Sequence, residues 1–223
     1  MSAPRVVAVD GPAGAGKSTA SRGLATRLGF GYVDTGAMYR AVGVLAHEAG
    51  IAFDDEPALA ALIDGLTFAL EDGGTRLVVD GRDVSQAIRR PDAGELASKV
   101  STRPAVRTRL VALQRRLGKG GRVVMEGRDI GTVVFPDAPL KVYLTADPTE
   151  RARRRAIDLR ARGDVVDEAL LAREITERDQ RDATRSASPL VPAADALVLD
   201  TTRLDLGAVV EQMVGMARAR GLE

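Results

Sequence analysis

The chain has 223 residues, 45% of them hydrophobic and 28% charged, enough apolar material for one compact α/β domain with its own core. A net charge of +1, 3% aromatic residues and no tryptophan argue against a general nucleic-acid binder or a single-strand stacking platform. The absence of cysteine excludes disulfides, thiolate catalysis and cysteine-based zinc sites and suits a reducing cytoplasm, and no apolar stretch approaches the roughly 18 residues of a membrane span.

Residues 1–5 run directly into an apolar run, which leaves no room for a signal peptide. That run, Val6-Val7-Ala8-Val9, reads as a buried strand ending at Asp10. It is followed by Gly11-Pro12-Ala13-Gly14-Ala15-Gly16-Lys17-Ser18 and then Thr19, with helical spacing over residues 18–28. The pattern G-x-x-x-x-G-K-[ST] between strand and helix is the phosphate-binding loop. Glycines let successive backbone N–H groups turn inward, the helix N-terminus adds partial positive charge, Lys17 bridges the outer phosphates, and the Ser18 hydroxyl ligates Mg²⁺. A nucleoside triphosphate, ATP as donor, is therefore expected on Gly11–Thr19.

A second strand at 32–34 leads into Asp34-Thr35-Gly36-Ala37-Met38-Tyr39-Arg40. Asp34 or Thr35 suits a helix N-cap, and Arg40 is placed to reach back and grip a phosphate. His47, the one histidine, reads as a surface residue. Residues 66–70 and 75–79 flank Glu71-Asp72-Gly73-Gly74, a hairpin pattern, so residues 64–86 are expected to form a small antiparallel insert. Such an insert is either an edge extension or a clamp over a second substrate.

Val123–Glu126 is the third core strand, and Glu126-Gly127-Arg128-Asp129-Ile130-Gly131-Thr132 leaves its carboxyl end. Glu126 holds the position where phosphate-loop enzymes place a Mg²⁺-directed carboxylate. Further strands are expected at 142–144 and 196–199. Short apolar strands alternating with helices indicate a parallel sheet covered on both faces, with ligands beyond the strands' carboxyl ends. Residues 151–185 hold ten arginines, no lysine and eight acidic residues. Most of these, including Arg151, Arg153, Arg155, Arg160 and Arg162, read as a solvated, ion-paired surface. Arg178, Arg181, Asp182 and Arg185 follow i, i+3, i+4, i+7, one helix face where clustered guanidinium groups call for an anion. With Gly163-Asp164-Val165-Val166-Asp167 as a hinge, the region has the pattern of a mobile lid.

Arginines without an obvious general base suit phosphoryl transfer to an acceptor that is already a phosphate. A GTPase switch lacks support, since no guanine-reading Asn-Lys-x-Asp stretch occurs. Asp10-Gly11-Pro12, the Asp34–Arg40 segment, residues 127–138, Glu177-Arg178-Asp179 through Arg185, and residues 189–196 together resemble the bacterial cytidylate kinase family, of the phosphate-loop nucleoside monophosphate kinases, over almost the whole chain. The resemblance implies a single domain over 1–223 with a three-layer phosphate-loop fold: a parallel sheet flanked by helices, a CMP-binding insert over about 64–100 and a helical lid over about 151–175. It implies ATP-dependent phosphorylation of CMP and dCMP with Mg²⁺ at Ser18 and Glu126, in a cytoplasmic monomer without nucleic-acid or membrane partners. By motif, Ser98, Arg107 and Asp129 read the cytosine. Arg40, Arg128 and Arg185 hold the acceptor phosphate, and Arg178 and Asp182 contact the sugar. Asp34, Thr35 and Tyr39 complete the acceptor side, and Lys17, Arg128, Arg178 and Arg185 form the catalytic set. An adenylate or uridylate acceptor is the alternative.

Overall fold

The computed structural model describes residues 5–74, 76–161, 163–185 and 188–222. Residues 1–4, Thr75 of the expected hairpin and Arg162 of the arginine-rich stretch lie outside the described residues. In chain order the elements are β1 (Val6–Asp10), α1 (Lys17–Leu28), β2 (Gly31–Asp34), α2 (Thr35–Glu48), α3 (Glu56–Asp64), β3 (Phe68–Glu71), β4 (Arg76–Val79), β5 (Arg82–Asp83), α4 (Ala93–Ser101) and α5 (Pro104–Lys119). Then come β6 (Val123–Glu126), β7 (Leu140–Thr145), α6 (Pro148–Arg160), α7 (Glu168–Thr184), β8 (Leu197–Asp200) and α8 (Leu206–Arg218).

Five strands form one parallel sheet in the order β2-β6-β1-β7-β8. β1 lies at its centre with all five residues buried, which is why Val6–Val9 are apolar throughout rather than alternating, ahead of the buried Asp10. Its side chains still divide by face. Val7 and Val9 pack with Leu24 of α1 and Met213 of α8, whereas Val6 and Ala8 pack with Val111 of α5 and with Ile130. Each valine so buried contributes about 1.5–3 kcal/mol, so the strand that carries the glycine-rich loop is firmly anchored in the sheet.

A second, three-stranded antiparallel sheet, β3-β4-β5, lies within residues 68–83. Leu77 and Val79 of β4 pack on Ala37 and Ala41 of α2, so the insert rests on the helix that follows β2. α6 and α7 form a pair with its own small core of Ala152, Ala156, Leu171 and Ile175. Residues 161–167 join them, and Asp167 caps α7 through the N–H groups of Ala169 and Leu170.

One sequence expectation changes here. Arg151 is not a solvated surface arginine; it is 5% exposed and enclosed by α7 and the glycine-rich loop. Arg185 is the C-cap of α7: the helix ends at Thr184, the Arg185 N–H still donates to the Arg181 carbonyl at 3.1 Å, and its φ of −61° stays helical while ψ of 139° turns the chain away.

Candidate active site

The parallel register brings the strand ends together. Asp34 stands opposite Glu126 between β2 and β6, and Val9 opposite Glu126 between β6 and β1. Beyond these ends opens a cleft of about 1370 Å³. The residues lining it include Lys17 and Ser18, Ser98 and Arg107, and Arg178 and Arg181 of α7.

The glycine-rich loop is shaped by close backbone approach. Gly11 has φ +146°, and a Cβ there would lie 2.0 Å from the Leu144 carbonyl oxygen, so no other residue fits. Lys17 is buried and donates through Nζ to the Pro12 carbonyl at 2.7 Å, curling the loop over its own lysine. No side chain caps α1, whose N-terminal N–H groups face the loop. Such an N-terminus is an anion seat. Burial, with crowding by Arg128 and Arg178, pushes the Lys17 ammonium down to about 7.

Glu126 is 3% exposed; it accepts from the Tyr32 hydroxyl, and the Ser18 hydroxyl lies near enough to favour its charged form. Burial raises its pKa, with the Asp34 charge adding to the effect. A buried carboxylate beside a loop hydroxyl is an all-oxygen donor set of the kind Mg²⁺ takes, and a cation there would relieve the cost of burying the charge. Asp10 accepts the N–H groups of Ile130 and Gly131 at 2.8 and 2.7 Å. It thereby fixes the wide turn Ile130–Val134, in which the Val134 and Phe135 N–H groups reach back five residues to the carbonyls of Asp129 and Ile130. Burial pushes the Asp10 carboxyl up to about 6.

Beside Glu126, Asp34 caps α2 through the Ala37 N–H at 2.9 Å and also accepts from Arg40 at 2.8 Å, so one carboxylate both caps the helix and holds the arginine. Thr35 donates to the Glu126 carbonyl at 2.7 Å. Asp129 and Arg107, each 5% exposed, form a buried ion pair, with Arg185 Nη2 4.0 Å from the same carboxylate. The Arg107 guanidinium sits 5.9 Å over the Tyr39 ring, and Ser98 is buried on the neighbouring helix α4. Arg128 donates to Asp182 at 3.0 Å. Burial, then Arg128, lowers the Arg178 pKa to about 10. Arg178 Nε and Arg185 Nη2 are buried without a hydrogen-bond partner among the described residues.

Every residue that the sequence marks for this site lies on the cleft wall or in the loop beneath it: the Gly11–Thr19 loop, Asp34, Thr35, Tyr39, Arg40, Ser98, Arg107, Glu126, Arg128, Asp129, Arg178, Asp182 and Arg185. Arg181, by contrast, is solvent-exposed at the cleft rim, and His47 is exposed on α2. Sequence reasoning missed Tyr32 on Glu126 and the pair formed by Arg151 and Asp179 beside Ala13. The only signal for Asp179 was its place in Glu177-Arg178-Asp179.

A parallel sheet, a glycine-walled loop feeding an uncapped helix, an antiparallel insert and a helical pair carrying arginines define a phosphate-loop kinase fold. The family model for cytidylate kinase matches residues 7–219. Similar curated proteins are the cytidylate kinase of Pelotomaculum thermopropionicum, 51% identical over 96% of both chains, and that of Solibacter usitatus, 48% identical over 96% of this chain and 93% of the relative. A bifunctional pantoate ligase/cytidylate kinase of Synechococcus is 48% identical over 99% of this chain, which spans 47% of that longer protein. Among solved structures, an uncharacterized protein from Eubacterium ventriosum aligns over 97% of this chain and 99% of its own, at 11% identity and a TM-score of 0.53, a likeness of fold alone. The chain belongs to the cytidylate kinase family, whose members are phosphotransferases.

Proposed function

We propose that the chain transfers the γ-phosphoryl group of ATP directly to CMP and dCMP, giving ADP with CDP or dCDP. A phosphate oxygen of the acceptor forms a bond to the γ-phosphorus while the bond from that phosphorus to the β–γ bridging oxygen breaks, and ADP leaves with the electron pair. The acceptor oxygen is already ionised at neutral pH, so no general base is needed. What the protein supplies is position, charge and dryness.

On this reading the Gly11–Thr19 backbone seats the donor phosphates and Lys17 follows the charge onto the transferring group. Arg40, Arg128 and Arg185 hold the acceptor phosphate, with Arg128, Arg178 and Arg185 offsetting charge that spreads over the γ-oxygens. The Asp129 carboxylate accepts from the cytosine amino group, oriented by Arg107, with Ser98 beside it; Asp34, Thr35 and Tyr39 shape the acceptor wall. Arg178 and Asp182 meet the sugar. Ser18 and Glu126 would hold Mg²⁺, which when bound draws charge from the phosphates. The insert and the α6–α7 pair cover the acceptor and exclude water.

The observation that carries this reading is a single cleft lined by the glycine-rich loop with Lys17, by Arg128, Arg178 and Arg185, and by the buried Arg107–Asp129 pair. The first two groups suit a phosphate chain and the last a hydrogen-bonding base. The reading includes a monomeric enzyme, as the family resemblance implies, and a cytoplasmic one, suited by the cysteine-free sequence. ADP release measured against a panel of ribo- and deoxynucleoside monophosphates tests it. CMP and dCMP should support turnover at least about 100-fold above AMP; faster turnover with AMP or UMP would assign the acceptor to another base.

A further inference from the structure

Arg151 and Asp179 come from different helices and meet on one residue of the glycine-rich loop. Arg151 lies in the first turn of α6, where its Nε donates to the Ala146 carbonyl at 3.0 Å. Its Nη1 donates to the Ala13 carbonyl at 3.0 Å and is also bonded to the Asp179 carboxylate. Asp179 closes the circuit by accepting the Ala13 N–H at 3.3 Å. Ala13 is thus held at its donor and its acceptor by an ion pair that ties α6 to α7. The contact is close-packed: a Cβ at Gly14 would lie 3.0 Å from both the Cβ and the carbonyl oxygen of Arg151. Neither side chain is a surface group, at 6% and 20% exposure, and water screening that weakens exposed pairs is largely absent.

The placement on α7 matters. Arg178 and Asp182 are one turn apart and face the cleft, where Asp182 meets Arg128. Asp179 is one residue on, turned about 100° around the helix axis, and faces the loop. One rigid helix therefore presents cleft arginine and loop contact together. The carboxylate stands beside the seat of a phosphate chain, where an unpaired negative charge would oppose binding; Arg151 neutralises it. We propose that Asp179, paired with Arg151, is a positioning residue that couples the seating of α7 over the cleft to the shape of the phosphate loop, a role that rests on the phosphoryl-transfer reading above.

The test uses the full chain, with Asp179→Ala, Asp179→Asn and Arg151→Lys compared with the unaltered protein for turnover of CMP. Asp179→Ala should lower kcat about tenfold or more while the KM for CMP stays within about threefold, the pattern of a contact that matters in the closed complex and not in acceptor binding. Asp179→Asn keeps an oxygen for the Ala13 N–H and should recover part of the loss. Arg151→Lys, a point charge in place of a planar fork, should lose kcat in the same sense. A kcat for Asp179→Ala within twofold of the unaltered chain overturns the proposal. So does a KM for CMP that rises as far as kcat falls, or an Asn variant no better than Ala with both merely less folded by circular dichroism. Failure of the unaltered chain to phosphorylate CMP would instead remove the underlying reading.

Discussion

Arg128 donates through Nε to Asp182 Oδ2 at 3.0 Å, joining the end of β6 to α7. Burial raises the Asp182 carboxyl, but Arg128 and Arg178 outweigh it and hold the pKa below its ordinary value. The acid is the internal counter-ion of an arginine cluster. Asp182→Asn should therefore destabilise the protein by roughly 3 kcal/mol, the scale for a buried pair deprived of one partner. Sulfate or CMP should restore more stability to the variant than to the unaltered chain. Thermal unfolding with and without each anion measures both effects.

Lys17 titrates near 7 because burial and its arginine neighbours disfavour the ammonium. A nucleotide phosphate beside it favours the charged form and raises that pKa. Binding of ATP should then take up a proton, approaching one per site as pH rises from about 7 to 8, and affinity should weaken over that window. Calorimetry in buffers of differing ionisation enthalpy reads the proton directly. Lys17→Ala should abolish the uptake, and with it turnover, while circular dichroism stays unchanged.

Arg185 lies 4.0 Å from the Asp129 carboxylate, its Nε donating to the Ser188 carbonyl at 2.5 Å and its Nη2 without a hydrogen-bond partner among the described residues. A buried guanidinium nitrogen with its donors unspent fits a phosphate. Arg185→Lys should cost at least about tenfold in kcat/KM, roughly 1.4 kcal/mol, since a point charge does not reproduce two parallel donors. Steady-state kinetics with CMP checks this.

Asp129 is the acceptor facing the proposed base seat, and Arg107 holds it in place. Asp129→Asn replaces one acceptor oxygen with a donor. Relative kcat/KM for CMP and UMP should move towards equality by about tenfold or more. The unpaired Arg107 should lower the melting temperature in the same variant, so selectivity is compared at a temperature where both proteins are folded.

Asp10 has its carboxyl pushed up to about 6 by burial, above the ordinary 3.8. The folded state thus holds this proton more tightly than the unfolded chain. Its contribution to stability is fully present below about pH 4 and is lost as pH rises through about 6, a change of roughly 3 kcal/mol. Asp34 and Asp182 are shifted the other way and lose stability as pH falls. The measurement is therefore a difference: urea unfolding of Asp10→Asn against the unaltered chain between pH 4 and 7, where the variant should lack the downward slope.

The sequence was legible where burial is uniform. Val6–Asp10 and Val123–Glu126 emerge with the boundaries read from their apolar runs. β7 proves longer than its apolar run at 142–144, because Lys141 buries its stem and carries its ammonium to Asp195 at 2.8 Å. A lysine in the pattern looks like a strand end when it is a strand interior. The cleft-lining motifs were legible for a similar reason: glycines and charges at strand ends are rare enough to stand out. Arg151 was not. Within a stretch dense in both charges, a buried arginine and a solvated one have the same spelling, and its partner carbonyl at Ala13 lies 138 residues away.

Gly11 touches the carbonyl of Leu144, and from that point the chain needs only a few residues to begin α6 at Pro148. The stem of the proposed cover and the glycine-rich loop are thus welded at their common root. A chimera that borrows the cover from a relative will work as a graft only if the scion includes the junction from 144 to 151, since a splice further out would join two pieces cut to different stocks.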